Sequence, residues 1–192
     1  MNKRNGFNLL EVIIAVMILT VTIVAVTAMV NQNLRQNQLN QAYLVANGLS
    51  QEALEVARNM RDGNWLQNFS FEADTSSLWN ESLWPKSGKA IYRLVKKDVD
   101  NLYPWKLEAT SPANEENLLF YDSEFGYNHS NVGERTPFSR YLVVEVVNDP
   151  ELVKHADLPP LKVTAVTEFT LRAKTRQVAY DFILTDWKQG PL

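Results

Sequence analysis

The strongest constraint on this chain lies in its first thirty residues, MNKRNGFNLLEVIIAVMILTVTIVAVTAMV, where a short basic leader meets a long apolar run at Gly6-Phe7. Glu11 stands near the start of that run, and the next charged side chain is Arg35. From Val12 to Val30 only three threonines interrupt the apolar residues. As a helix those positions extend about 28 Å at about 1.5 Å per residue, close to the hydrocarbon thickness of a bilayer. The run predicts a membrane-spanning helix.

A cleaved secretory signal fits less well, because its apolar region is only about 7 to 15 residues long and ends in a small-residue cleavage site. Here the run is longer, the Ala-x-Ala signal is poor, and the following AMVNQNLRQNQLNQAYLVANGL keeps helical spacing. The segment is therefore either an uncleaved anchor or one cut at its front end. Lys3 and Arg4 crowd the N-terminal flank, while the far flank offers only Arg35 nearby. The positive-inside rule then predicts residues 1–6 in the cytoplasm and everything after the helix outside. Simple anchoring leaves Glu11 unexplained, since an ionised carboxylate in the apolar region costs about 3 kcal/mol and usually has a partner. Either it pairs there, or it lies shallow enough to reach head groups and water.

GFNLLEVIIA behind a Lys/Arg leader resembles the processing motif of type IV prepilins and of the pseudopilins of type II secretion. Junction, aromatic, glutamate and apolar run all occur in register. The resemblance implies a membrane peptidase cutting between Gly6 and Phe7, N-methylation of Phe7, and pairing of Glu11 with the free amine of a neighbouring subunit during assembly. As partners it implies the prepilin peptidase/methyltransferase, other pilin or pseudopilin subunits, an inner-membrane assembly platform and the lipid bilayer. The implied location is the bacterial inner membrane and then a pilus or pseudopilus. Asn8 stands where the family commonly has threonine or serine, and no proline interrupts the transmembrane stretch, although many major pilins carry one. Proline bends a helix, so a straighter helix is expected, with a lean toward a minor subunit.

Beyond the membrane the helical pattern continues. Ala42, Val45, Ala46, Leu49, Ala53, Val56, Ala57 and Met60 recur at spacings of three and four, making one apolar face, while Gln51, Glu52, Glu55, Arg58 and Asn59 lie elsewhere. Arg58 and Arg61 suit a C-terminal helix end and Gly63 a stop, so one helix is predicted over about residues 8–61. An alanine- and valine-rich face suits packing on the chain's own domain better than a coiled coil or a membrane surface. AYLVANGLSQEALEVARNMRD loosely resembles the same region of I-type minor pseudopilins and pilus modification pilins.

Residues 63–88 read as a long polar loop carrying Trp65, Phe69, Phe71, Trp79 and Trp84, either a ligand platform or aromatics that tack the connection down. Strand signals follow at 89–97, 104–110, 117–122, 138–148, 160–172 and 175–187. Alternation is cleanest in the last pair, where Leu161, Val163, Ala165, Phe169 and Leu171 share one face and Val178, Tyr180, Phe182 and Leu184 another. A short link at 173–175 predicts an antiparallel hairpin. The expected fold is α+β, a long N-terminal helix packed on an antiparallel sheet. It divides into a leader 1–6, a transmembrane and assembly helix 7–34, an amphipathic helix half 35–62, and an extracytoplasmic pilin-like β domain 63–192. TPFSRYLVVEVVND and FILTDW also look like minor pilin-like sequence, with Phe138 and Trp187 as core aromatics.

A net charge of -3 over 192 residues makes a poor general nucleic-acid binder, because phosphate binding needs clustered Lys and Arg. The absence of cysteine excludes disulfides, thiolate metal sites and cysteine catalysis. His129 and His155 are the only histidines, each in a polar loop, and are expected at the surface. Asp122, Glu124, Asp149, Glu151 and Asp157 invite a calcium reading, but they lack the regular spacing of a calcium loop and suit solvated loops better. No catalytic, cofactor or metal residue is assigned. Two functions remain: a pilin-type subunit cut before Phe7, or an uncleaved single-pass protein whose outer domain binds a ligand or partner.

Overall fold

The computed structural model describes residues 9–66, 85, 88–96, 105–124, 126–148 and 160–185. Helix α1 runs from Leu9 to Leu66. Gly63, expected as its stop, lies inside it and is buried. A glycine inside a helix costs only about 1 kcal/mol, too little to end so long an element. The chain divides into two compact units, Met1–Ala42 and Tyr43–Leu192.

In the first unit α1 is exposed along its whole apolar portion. In the second, the predicted stripe does what its spacing requires: Ala46, Leu49, Ala53, Val56, Ala57 and Met60 are buried. Ala46, Ala53 and Ala57 have no exposed surface at all, and such short side chains let a helix lie close on a sheet.

That sheet has seven strands: β1 (Lys89–Lys96), β2 (Trp105–Ala109), β3 (Leu118–Asp122), β4 (Gly126–Asn128), β5 (Glu134–Val146), β6 (Leu161–Leu171) and β7 (Lys174–Leu184). Every pairing is antiparallel. β5 organises it. Along one edge β5 pairs with β6 from Phe138 to Val146. Along the other edge its first half meets β3 and its second half meets β1, so the sheet forks. The pairings Leu118↔Ser139 and Tyr92↔Leu142 leave Arg140 and Tyr141 at the fork. A core of Ala53, Val56, Ala57, Met60, Leu94, Leu107, Leu142, Val144, Leu161, Val163, Ala165 and Leu184 fills the space between helix and sheet.

The predicted α+β fold is thus present. β5 starts four residues before the expected Phe138 and takes in Pro137. Proline gives no N–H to a ladder, and Pro137 falls where none is needed. The β6 pairing begins only at Phe138, and the β3 register shifts between Leu118 and Phe120. β4, a three-residue strand of Gly126, Tyr127 and Asn128, has no apolar alternation to announce it. On β6 the expected face is buried apart from half-buried Leu171. On β7 only Leu184 is buried, and Tyr180 remains 40% exposed.

The β6–β7 link is tighter than expected. Leu171 pairs with Lys174, so the loop is Arg172–Ala173 alone. Both residues have positive φ, 53° and 62°, as a two-residue hairpin turn of type I′ requires. Glycine suits that conformation and alanine does not. Ala173→Gly should therefore stabilise the protein by about 0.5–1 kcal/mol, read as a higher denaturation midpoint.

Candidate functional site

Of the residues singled out from the sequence, Gly6 and Phe7 lie outside the described residues, whereas Glu11 occupies the first turn of α1 and is exposed. Around and after it Leu9, Leu10, Val12, Ile13, Ile14, Val16, Met17 and their successors to Val30 present apolar side chains on every side. An 18-residue window here reaches a mean hydropathy of 2.8 with none of it buried, so the helix is long and apolar enough to cross a membrane.

The threonines that interrupt this surface do not break its apolar character. Thr20 donates its hydroxyl to the Met17 carbonyl, Thr22 to Leu19 and Thr27 to Ile23, each at 2.8 Å. A hydroxyl satisfied by its own helix asks nothing of its surroundings. Glu11 is the only charged side chain from Leu9 to Leu34.

A second polar constellation fastens α1 to the sheet within the second unit. Arg140 is 1% exposed, and its Nη1 donates to Glu52 Oε2 at 2.8 Å and to the Leu49 carbonyl at 3.1 Å. Beside it Ser50 donates to Thr167 Oγ1 at 2.7 Å in a fully buried contact. Tyr180 donates to Asn47 Oδ1 at 3.2 Å, and Tyr43 meets Phe169 edge-on at 5.1 Å between ring centres. Sequence reasoning missed this joint, although its signal was legible. Arg140 shares strand parity with Phe138, Leu142 and Val144, which marks it as an inward-facing charge.

His129 corrects the expectation that it lies at the surface: it is 7% exposed. The short β4 returns the chain against β3, so that His129 Nδ1 sits 3.2 Å from the Leu118 carbonyl. Burial, with Arg140's charge second, lowers its pKa to about 4, so the ring is neutral at neutral pH. Among the described residues His129 Nε2 and Arg140 Nε and Nη2 have no hydrogen-bond partner.

The opposite face of the sheet is polar. Arg93 donates to Glu108 Oε2 at 2.7 Å and approaches Glu116 at 3.2 Å. Burial pushes the Glu108 carboxyl up, but hydrogen bonds from Arg93 and Lys106 outweigh it and hold the group below its ordinary range. Tyr141 donates to Glu168 at 3.1 Å, and burial reinforced by that carboxylate raises the phenol to about 12. Nearby, Asn114, Leu118, Arg135, Ser139 and Glu168 line an open cleft of about 260 Å³. Its charges are of both signs, so it offers a polar contact surface.

The remaining residues carry less. Phe138 is buried, as expected of a core aromatic, while Trp187, His155, Asp149, Glu151, Asp157 and the aromatics from Phe69 to Trp84 fall outside the described residues. Asp122 accepts from the Glu124 backbone N–H at 2.8 Å, a turn contact. No protein-family profile, curated protein or solved structure matches this chain.

Two measurements probe the buried joint. Removing Glu52 leaves the buried Arg140 charge uncompensated, whereas removing Arg140 leaves only Glu52, whose side chain is 40% exposed and reaches water. Glu52→Ala should cost about 2–3 kcal/mol, and Arg140→Met, which removes two unpartnered nitrogens, less than about 1 kcal/mol, both by urea unfolding.

His129 gives the second. Its folded pKa of about 4 lies below the ordinary 6.5, so the folded protein binds fewer protons between those values. The stability this neutral ring contributes is complete above pH 6.5 and falls as pH drops toward 4, by about 3 kcal/mol in all. His129→Gln should remove this contribution, so that the wild-type minus variant stability, read by urea unfolding at each pH, falls by about 3 kcal/mol from pH 6.5 to 4.

Proposed function

We propose that this chain is a pilin-type subunit, cut between Gly6 and Phe7 at the bacterial inner membrane, N-methylated on Phe7, and assembled into a type IV pilus or a secretion pseudopilus as a minor component. The observation that carries the reading is the stretch of α1 from Leu9 to Val30, apolar and exposed on every side within its unit, with its single charge, Glu11, in the first turn. An ordinary lipid anchor has no use for that charge. A helix destined to lie among like helices does, because a neighbour's terminal amine would neutralise it there.

In this mechanism the bilayer holds Val12 to Val30 until neighbouring helices replace the lipid. Glu11 is poorly compensated in the membrane and meets the Phe7 amine of an adjacent subunit in the fibre. Buried ion pairs add little net stability but fix register, so Glu11 acts chiefly as an alignment contact. The second unit, folded around its own core, is the part displayed outside. Motive force comes from the assembly platform.

Intact-mass and N-terminal analysis of the protein from its own membrane tests the processing step. The expected product begins at N-methylated Phe7. A start at Met1 or Asn2 would instead establish an uncleaved single-pass protein with an external binding domain. Glu11→Ala should leave cleavage intact and lower incorporation into fibres by about tenfold, equivalent to about 1.4 kcal/mol; unchanged incorporation refutes the role given to Glu11.

A further inference from the structure

Directly beyond the apolar run comes NQNLRQNQLNQ, residues 31–41, in which eight of eleven side chains are amides. The stretch is helical and exposed except for half-buried Leu39. Exposed helix surface ordinarily carries Lys and Glu, whose charges keep it solvated. Here the only charge between Glu11 and Glu52 is Arg35. Four of the amides are asparagines, poor helix formers that cost roughly 0.5 kcal/mol each relative to alanine. The segment thus gives up both solvation and helix propensity.

Its pattern is directional. At about 100° per residue, Gln32, Asn33, Gln36, Asn37 and Asn40 fall within an arc of about 140°, and Arg35 lies on the opposite side. Glu11 is twenty-five residues before Gln36, about seven turns, and so projects on the same side as the amides. Gln36 Nε2 donates to Asn40 Oδ1 at 3.3 Å along that face. Each amide has two donor hydrogens and an acceptor oxygen, so this one bond uses a fraction of the face's capacity.

We propose that this amide face is a seam against the same face of a second copy of the chain, just outside the bilayer. Identity of the partner explains the chemistry. A charged face set against its own copy brings like charges together and repels, whereas an amide donates and accepts and is complementary to itself. Small axial shifts cost little, because an amide row offers a partner at each turn. The seam continues the line of Glu11, and because Phe7 lies four residues before it, an axial offset of about one turn would set a processed neighbour's Phe7 amine, rather than its Glu11, opposite Glu11. This rests on the proposed function in requiring helices side by side in the membrane, but not on cleavage before Phe7.

The natural chain has no cysteine, so single-cysteine variants of the full protein report contacts without background. Gln32→Cys, Gln36→Cys, Asn40→Cys and, from the opposite side, Asn31→Cys are each oxidised in their own membranes. Disulfide-linked dimers are expected from the first three at several times the yield of Asn31→Cys. Equal yields from all four, or no dimer from the first three, overturn the proposal. Adding Gln36→Glu and Asn37→Glu to the Gln32→Cys chain should cut its dimer yield at least fivefold, and co-expression with Gln32→Cys carrying Gln36→Lys and Asn37→Lys should restore mixed dimers; a yield indifferent to these charges is also a refutation. N-terminal analysis of the same samples separates the two ideas. Face-specific dimers from a chain that still begins at Met1 uphold the seam and sink the processing reading, while a Phe7 start without dimers does the reverse.

Discussion

The apolar surface from Leu9 to Val30 has no cover within its own unit, and that condition shapes everything else about the chain. A large aliphatic side chain left in water forfeits about 1.5–3 kcal/mol relative to burial. With so many exposed together, this surface suits lipid or other helices better than water. The hydroxyls of Thr20, Thr22 and Thr27 are turned back onto their own helix, which keeps the surface free of unmet hydrogen bonds. Composition and local geometry therefore agree on the surroundings the segment is made for.

The second unit faces the opposite demand, since its share of α1 must be held by a sheet of limited area. Alanines bring the helix close, and the buried cluster behind them is aliphatic apart from the sulfur of Met60, with Tyr92, Trp105 and Phe182 half-buried against it. Aliphatic packing is not directional and would tolerate the helix sliding by a turn. Arg140 bonding Leu49 and Glu52, together with Ser50 bonding Thr167, admits one axial position. The fork in the sheet makes this possible. Where β3 has left β5 and β1 has not yet joined it, β5 places a long polar side chain inward at Arg140.

Periodicity made the helix, its buried stripe and the β6–β7 faces legible in the sequence, because each is a repeated pattern in which one exception does not matter. Its failures have particular causes. Gly63 reads as a stop, yet one glycine is a small penalty against a long cooperative element. β4 is too short to show alternation and is polar, so nothing distinguished it from a turn. His129 looked like a surface residue because its neighbours in sequence are polar. Its burial is decided by the β3–β4 pairing, a contact that sequence proximity does not reveal. Arg140 is the instructive case, since its strand parity was on view and only the habit of assigning charges to the surface concealed it.

Charge placement along α1 joins these observations. Arg35 alone is charged between Glu11 and Glu52, and Glu52, where charges resume, has a defined partner in Arg140. Glu11 differs from Glu52 in having no ion-pair partner among the described residues. A carboxylate in so apolar a setting must still be solvated by something, and water, a lipid head group and a cation of another chain are the candidates. Water and head groups require Glu11 to stay shallow, at the rim of the bilayer. In the proposed assembly a second helix would remove that requirement, because its terminal amine would supply the countercharge. On that proposal the position of one acid would set how deep the helix sits alone, and association with another chain would relax the limit.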